Sequence, residues 1–121
     1  MSKKALDLFG QLLINNIRDK AIFEWDMIIK GEMKDIETQK VQQVLSDLTK
    51  KEIDIISWLI PQIVDTTIHH LLWTLEQNKS IDVAVKMESE STSSIKEVSD
   101  GLTGDFYEWR MRFSKERYED I

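Results

Sequence analysis

The chain contains no cysteine. That excludes disulfides, thiolate metal centres and a cysteine nucleophile, and it fits a cytoplasmic protein. Proline occurs once and glycine four times, too few turn-formers for the many tight reversals of an all-β fold. No run approaches the roughly 20 apolar residues that cross a bilayer. The most apolar stretch, Ile53–Leu75, is broken by Asp54, Gln62, Asp65, His69 and His70. Met1-Ser2-Lys3-Lys4-Ala5 starts in the manner of a secretory leader, but Asp7, Gln11, Asn15 and Asn16 interrupt its would-be apolar core. A soluble protein with no membrane association is expected. Positive charge is also short, 16 Lys and Arg against 22 Asp and Glu, for a net charge of -6. This opposes binding to nucleic acid or an anionic membrane and suits a basic protein partner.

Signature motifs are missing as well. The sequence has no P-loop, no dinucleotide fingerprint, no helical zinc-protease motif and no nucleophile elbow. No catalytic residue, metal ligand set or cofactor is assigned from it.

What the chain does have is helical periodicity. Apolar residues make up 41% of the 121 residues, enough for one core in a single domain spanning 1–121. Leu6, Phe9, Leu13 and Ile17 fall on one helical face, with Leu8 and Leu12 beside them and Ser2 placed to cap the helix. Ala21, Trp25, Ile28 and Ile29 continue the pattern up to Gly31, which suits a left-handed helix stop. The two stretches form either two helices meeting near Asn15–Asp19 or one bent helix. Val41, Val44, Leu45 and Leu48 mark another stripe. Thr49 and Glu52 have the spacing of a capping box. They open a long segment in which Ile53, Ile56, Ile60, Val64, Ile68, Leu71 and Leu75 keep one face. Pro61 cannot donate its backbone hydrogen bond and should kink that segment or start a second helix.

Beyond Asn78 the pattern changes. Ile81, Val83, Val85 and Met87 alternate with polar or small residues, a period of two that predicts a short strand near 81–87. Such a strand needs a mate, in this chain or another. Residues 89–93 read as a polar connection. Ser94 with Glu97 suggests a box opening a short helix through Val98, and Asp100–Gly104 a turn. Asp105 with Glu108 suggests a third box, opening a last helix with Phe106, Trp109 and Phe113 inward. The fold expected is mainly α, a compact single-domain helical bundle with a long kinked central segment and one short strand.

The only histidines, His69 and His70, lie in that central segment. At about 100° per residue His69 sits opposite the apolar stripe, near Trp58, Gln62, Asp65, Trp73 and Glu76. Asp65 lies four residues before His69, a spacing at which side chains can meet and a carboxylate can orient the imidazole. Asp65, His69, Trp73 and Glu76 are therefore the candidate ligand-binding residues. Against this, an Asp–His pair on a helix is common without function, and adjacent histidines diverge by about 100° and cannot converge on one metal. The Asp100–Asp105 turn offers two carboxylates to a hard cation, but turn chemistry alone accounts for them. Arg110, Arg112, Lys115 and Arg117 are interleaved with aromatics in a manner that can bind nucleic acid. Glu108, Glu116, Glu119 and Asp120 cancel their charge, which favours an ordinary amphipathic helix.

With no chemistry apparent, the leading expectation is a non-enzymatic protein-protein interaction domain, a small acidic inhibitor or immunity-like protein. The acidic 80–105 region supports it, with Asp82, Glu88, Glu90, Glu97, Asp100 and Asp105 against Lys86 and Lys96. The long segment is apolar on more than one side, through Ile55, Leu59 and Trp73, so several neighbours or a second copy of the chain must cover it. The alternative is a ligand-binding or metal-dependent enzyme using Asp65, His69 and Glu76.

Overall fold

The spacing of Leu6, Phe9 and Leu13 builds the first helix of the computed structural model, which describes residues 2–88 and 91–119. Helix α1 (Ser2–Leu12) runs without a break into a π-helical segment (Leu13–Arg18) and then α2 (Asp19–Ile29). The expected meeting point near Asn15–Asp19 is thus one continuous helix with a wide turn. The side chain of Ser2, the expected cap, lies outside the described residues. A π-turn closes i→i+5 bonds and so advances the inward face by about one position. Ile14, Arg18 and Ile22 are buried, whereas Ile17 and Trp25, expected inside, are about half exposed. Gly31, at φ 75°, ends α2. Its amide bonds the Ile28 carbonyl at 3.1 Å and the Glu32 amide bonds Met27 at 3.0 Å, the paired closure that a left-handed residue permits.

Asp35 caps α3 (Ile36–Leu45) by accepting from the Thr38 amide. This helix packs on α2, and the Gln42 amide donates to the Ile29 carbonyl at 2.8 Å, satisfying the end of that helix. Its expected stripe is only half-buried at Val41 and Leu45, and Val44 is exposed. Thr49 and Glu52 form the expected capping box, both bonds in place, at the start of α4 (Lys50–Gln77). This is one helix through Pro61, not two. Pro61 leaves the Ser57 carbonyl without its intrahelical donor, and Nη2 of Arg117 supplies one at 2.8 Å. Along α4, Ile60 and Ile68 of the expected face are buried. At the far end Leu72 takes the inward position expected of Leu71, which is exposed.

The expected strand is real but shorter, β1 (Ala84–Lys86), and its mate lies in the same chain. Strand β2 (Thr92–Ser94) pairs with it antiparallel, Val85 opposite Ser93. Of the polar connection 89–93, residues 89 and 90 lie outside the described residues. Ser94 precedes α5 (Ile95–Val98) but does not cap it; its hydroxyl donates to Asp82 at 2.7 Å. The last helix, α6 (Leu102–Phe113), begins three residues before the expected Asp105, so Asp105 lies inside it and the turn at 102–104 is helical.

Leu6, Leu13, Ile14, Ile68, Leu72, Ile95, Leu102, Phe106 and Trp109 form the buried core, where α1, the second half of α4, α5 and α6 meet. Gly10 is part of the reason α1 and α6 approach so closely: a Cβ there would fall inside the Trp109 indole. Each fully buried large side chain contributes about 1.5–3 kcal/mol of transfer free energy. On α4 the core stops at Ile68, and Ile60 and Pro61 are buried two turns earlier. Asp65 stands between them.

Candidate functional site

The register shift of the π segment turns Arg18 inward at the level of Asp65. The guanidinium is completely buried, and a guanidinium carries five N–H donors. All five are used. Nε donates to Asp65 Oδ1 at 2.6 Å and Nη2 to Asp65 Oδ2 at 3.2 Å, a bidentate pair. Nη1 donates to Asp19 Oδ1 at 3.0 Å and to Ser114 Oγ at 2.9 Å, and Nη2 also donates to the Arg117 carbonyl at 2.9 Å. From α6, Nη1 of Arg110 donates to the same Asp65 Oδ2 at 2.9 Å.

Residues 114–119 lie across this cluster without regular secondary structure. The Lys115 amide donates to Asp19 Oδ2 at 2.7 Å. Arg117 pairs with Asp26 through both Nη atoms, at 2.7 and 3.0 Å, which raises its pKa further above the ordinary arginine value. The Tyr118 ring covers the Arg110 guanidinium at 4.3 Å. Glu119 accepts from the Trp58 indole at 2.6 Å. Glu116 is less well placed: burial, the largest cause, and the Asp26 carboxylate raise its pKa against the opposing pull of Arg117.

Beside the cluster, between α4, α6 and this tail, lies an open cleft of about 580 Å³. Trp58, Phe106 and Tyr107 give it aromatic walls, and Gln62, Asp65, Thr66, His69, Arg110 and Glu119 its polar groups. Of the four residues singled out in the sequence, Asp65 and His69 share this cleft, whereas Trp73 and Glu76 do not line it. Asp65 turns to the two arginines, so the i,i+4 contact with His69 is not made. Among the described residues His69 has no hydrogen bond; its ring meets that of His70 edge-on, with centroids 5.6 Å apart. Glu76 has a different partner: Oε1 accepts from the Leu102 amide at 2.5 Å. The first residue of α6 follows Gly101, which has no side chain to cap with, and a carboxylate there satisfies both an orphan amide and the helix dipole. Among the described residues no group of three or more His, Asp and Glu is placed to hold a metal ion.

The basic residues of the C-terminal region are mostly engaged within the fold. Arg110 bonds Asp65, Arg112 bonds Asp7 at 3.2 Å and Glu108 at 3.4 Å, and Arg117 bonds Asp26.

Contiguous with the cleft is the outer face of α4. Between Asp54 and Glu76 the helix carries one charged residue, Asp65, and that one is turned inward. Ile55, Leu59, Ile63 and Trp73 project within about 80° of each other and are 51, 38, 60 and 49% exposed, with Trp58 at their edge. Arg18 was not foreseen from the sequence as part of a site, and Arg110 and Arg117 were weighed only as members of a nucleic-acid stripe, not as part of this cluster. A buried arginine 47 residues away from its carboxylate leaves no local signal.

No protein-family model matches the chain, and comparisons with curated proteins and with solved structures return no significant match. Among the described residues no helix is long and apolar enough to cross a membrane.

Proposed function

We propose that the chain is a non-enzymatic protein-protein interaction domain, in the manner of a small acidic inhibitor or immunity-like protein, and that the outer face of α4 is its contact surface. The observation that carries this reading is the exposed, uncharged strip formed by Ile55, Leu59, Ile63 and Trp73 in a protein whose residues are 31% charged. Exposed apolar side chains gathered on one face mark interaction sites, and here Ile55, Leu59 and Ile63 lie together, with Trp73 beyond the exposed Thr66 and His70. Interface centres are depleted of charge and enriched in aromatic residues. The ionic groups nearest the cleft support the same reading, since Asp65 is held by Arg18 and Arg110, and Arg18 by Asp65, Asp19 and the tail. The test places a photo-crosslinking residue at Leu59 and, as control, at Lys40 on α3. A discrete adduct with a polypeptide at Leu59, missing at Lys40 and lost with Ile63→Asp, is expected. Equal or absent labelling at both positions contradicts the proposal.

A second reading has one specific observation behind it, the aromatic-walled cleft that brings His69 beside Asp65, Arg110 and Tyr107. Its volume lies in the range of small-molecule sites, about 300–1,000 Å³. In this reading His69 is the free polar group that holds a small ligand, and the signature is a molecule retained through purification and lost in His69→Ala.

A further inference from the structure

We infer that residues 115–119 form an ionic strap, which swings away from α4 about Ser114 as a unit while the helical core stays folded. Anchor and strap are held differently. The Ser114 amide donates to the Arg110 carbonyl at 3.1 Å, and its hydroxyl accepts from Arg18 and donates to Asp19, both at 2.9 Å. Beyond Ser114, among the described residues, the chain makes no backbone–backbone hydrogen bond and adds no side chain to the buried core. Polar and charged groups hold it instead. The Lys115 amide bonds Asp19, the Arg117 guanidinium bonds Asp26 and the Ser57 carbonyl, and Glu119 bonds the Trp58 indole. The Arg117 and Asp26 side chains are 42 and 22% exposed, so solvent and salt weaken their attraction.

The strap also bridges a gap. Between it and α4 lies a cavity of about 160 Å³, with Trp58, Pro61 and Gln62 on the helix side and Arg117, Tyr118 and Glu119 on the other. Side chains that face a gap lack partner atoms on that side, which lowers the cost of lifting the strap. Lifting strands no buried charge. Of the five N–H groups of Arg18, four keep their acceptors on Asp65, Asp19 and Ser114. Only the bond to the Arg117 carbonyl is lost, at the point where water enters. Asp65 keeps both of its arginines. A segment with few apolar contacts and solvent-accessible polar bonds belongs to the low end of local opening free energies.

Opening changes the surface at one place. Glu119 leaves the Trp58 indole, Tyr118 leaves the Arg110 guanidinium that it covers, and the cleft loses one wall. Trp58 stands where the cleft meets the outer face of α4, so the strap controls access to both.

Hydrogen exchange of the full chain, followed by NMR, tests this. The Lys115 amide and the Trp58 indole N–H are held at opposite ends of the strap. In Asp26→Asn both are expected to exchange faster by the same factor, about fivefold for the loss of a partly exposed ion pair. The core amides of Leu72 and Phe106 should not change. Arg117→Gln removes the same pair from the strap side and should give the same result. Added salt should speed both sites in the wild-type chain and have less effect in either variant. Exchange at Lys115 as slow as in the core overturns the inference, since the tail would then open only when the whole chain unfolds. So do core amides that accelerate along with the tail, or tail sites that ignore both substitutions. A response at Lys115 without one at Trp58 overturns opening as a unit.

Discussion

Arg18 has a buried position only because five acceptors surround its guanidinium, and Asp65 is the one that carries charge from the opposite side of the bundle. Removing one member of a buried pair strands the other, at a cost of about 3–5 kcal/mol. Asp65 faces two arginines, so Asp65→Asn is expected to lower stability by at least the lower part of that range, read from the midpoint of denaturant unfolding. A loss within about 0.5 kcal/mol, the level of an ordinary surface change, would show that the cluster is not a structural tie. The sequence displayed Asp65 beside His69 at the favourable i,i+4 spacing. What it could not display was the competition: an arginine brought in by a π-turn and another from α6, each offering the carboxylate a charge-assisted bond. Glu76 illustrates the same limit. Its carboxylate belongs to the first amide of α6, 26 residues on, and no spacing rule links them.

At the scale of elements, local chemistry was legible and register was not. The Thr49–Glu52 box and the Gly31 stop could be read because each is settled within a few residues. The π segment could not, and its extra residue moved the inward face from Ile17 to Ile14 and Arg18. Strand β2 escaped notice because Thr92–Ser94 is short and polar, with no alternation of its own. The start of α6 was misplaced because its cap comes from α4 and not from the preceding turn. The capping box carries a pH dependence. Hydrogen bonds from the Thr49 amide and side chain, the amide first, hold the Glu52 pKa below its ordinary value. A carboxylate whose pKa is depressed in the folded state contributes stability above its unfolded pKa and loses it as pH falls through the folded one. The first turn of α4 should therefore fray at acid pH, seen as faster amide exchange at Glu52 and Ile53 relative to the middle of the helix. In Glu52→Gln that acid step should be missing. An unchanged step in the variant would assign it to another carboxylate.

For the whole molecule, the charge on the chain is organised into two roles. Arg18 and Arg110, which are buried, and Arg117 at the surface are matched by Asp19, Asp65 and Asp26 and pin the C-terminal tail against α2, α4 and α6. Outside, α4 presents some 30 Å of helix with no charge on its outer face. The mainly helical architecture was legible from composition and period. The ionic tie was not, since all of its pairs except Arg18–Asp19 join distant parts of the chain. If function resides on the outer face of α4, the cleft beside His69 is a by-product of packing and holds no resident molecule.

Native mass spectrometry of the protein as purified, without added chelator, decides between the face and the cleft. The expected spectrum shows no small molecule or metal bound to the chain, unchanged in His69→Ala. A stoichiometric small molecule or metal on the wild-type chain that disappears in His69→Ala would contradict this account and place the function in the cleft.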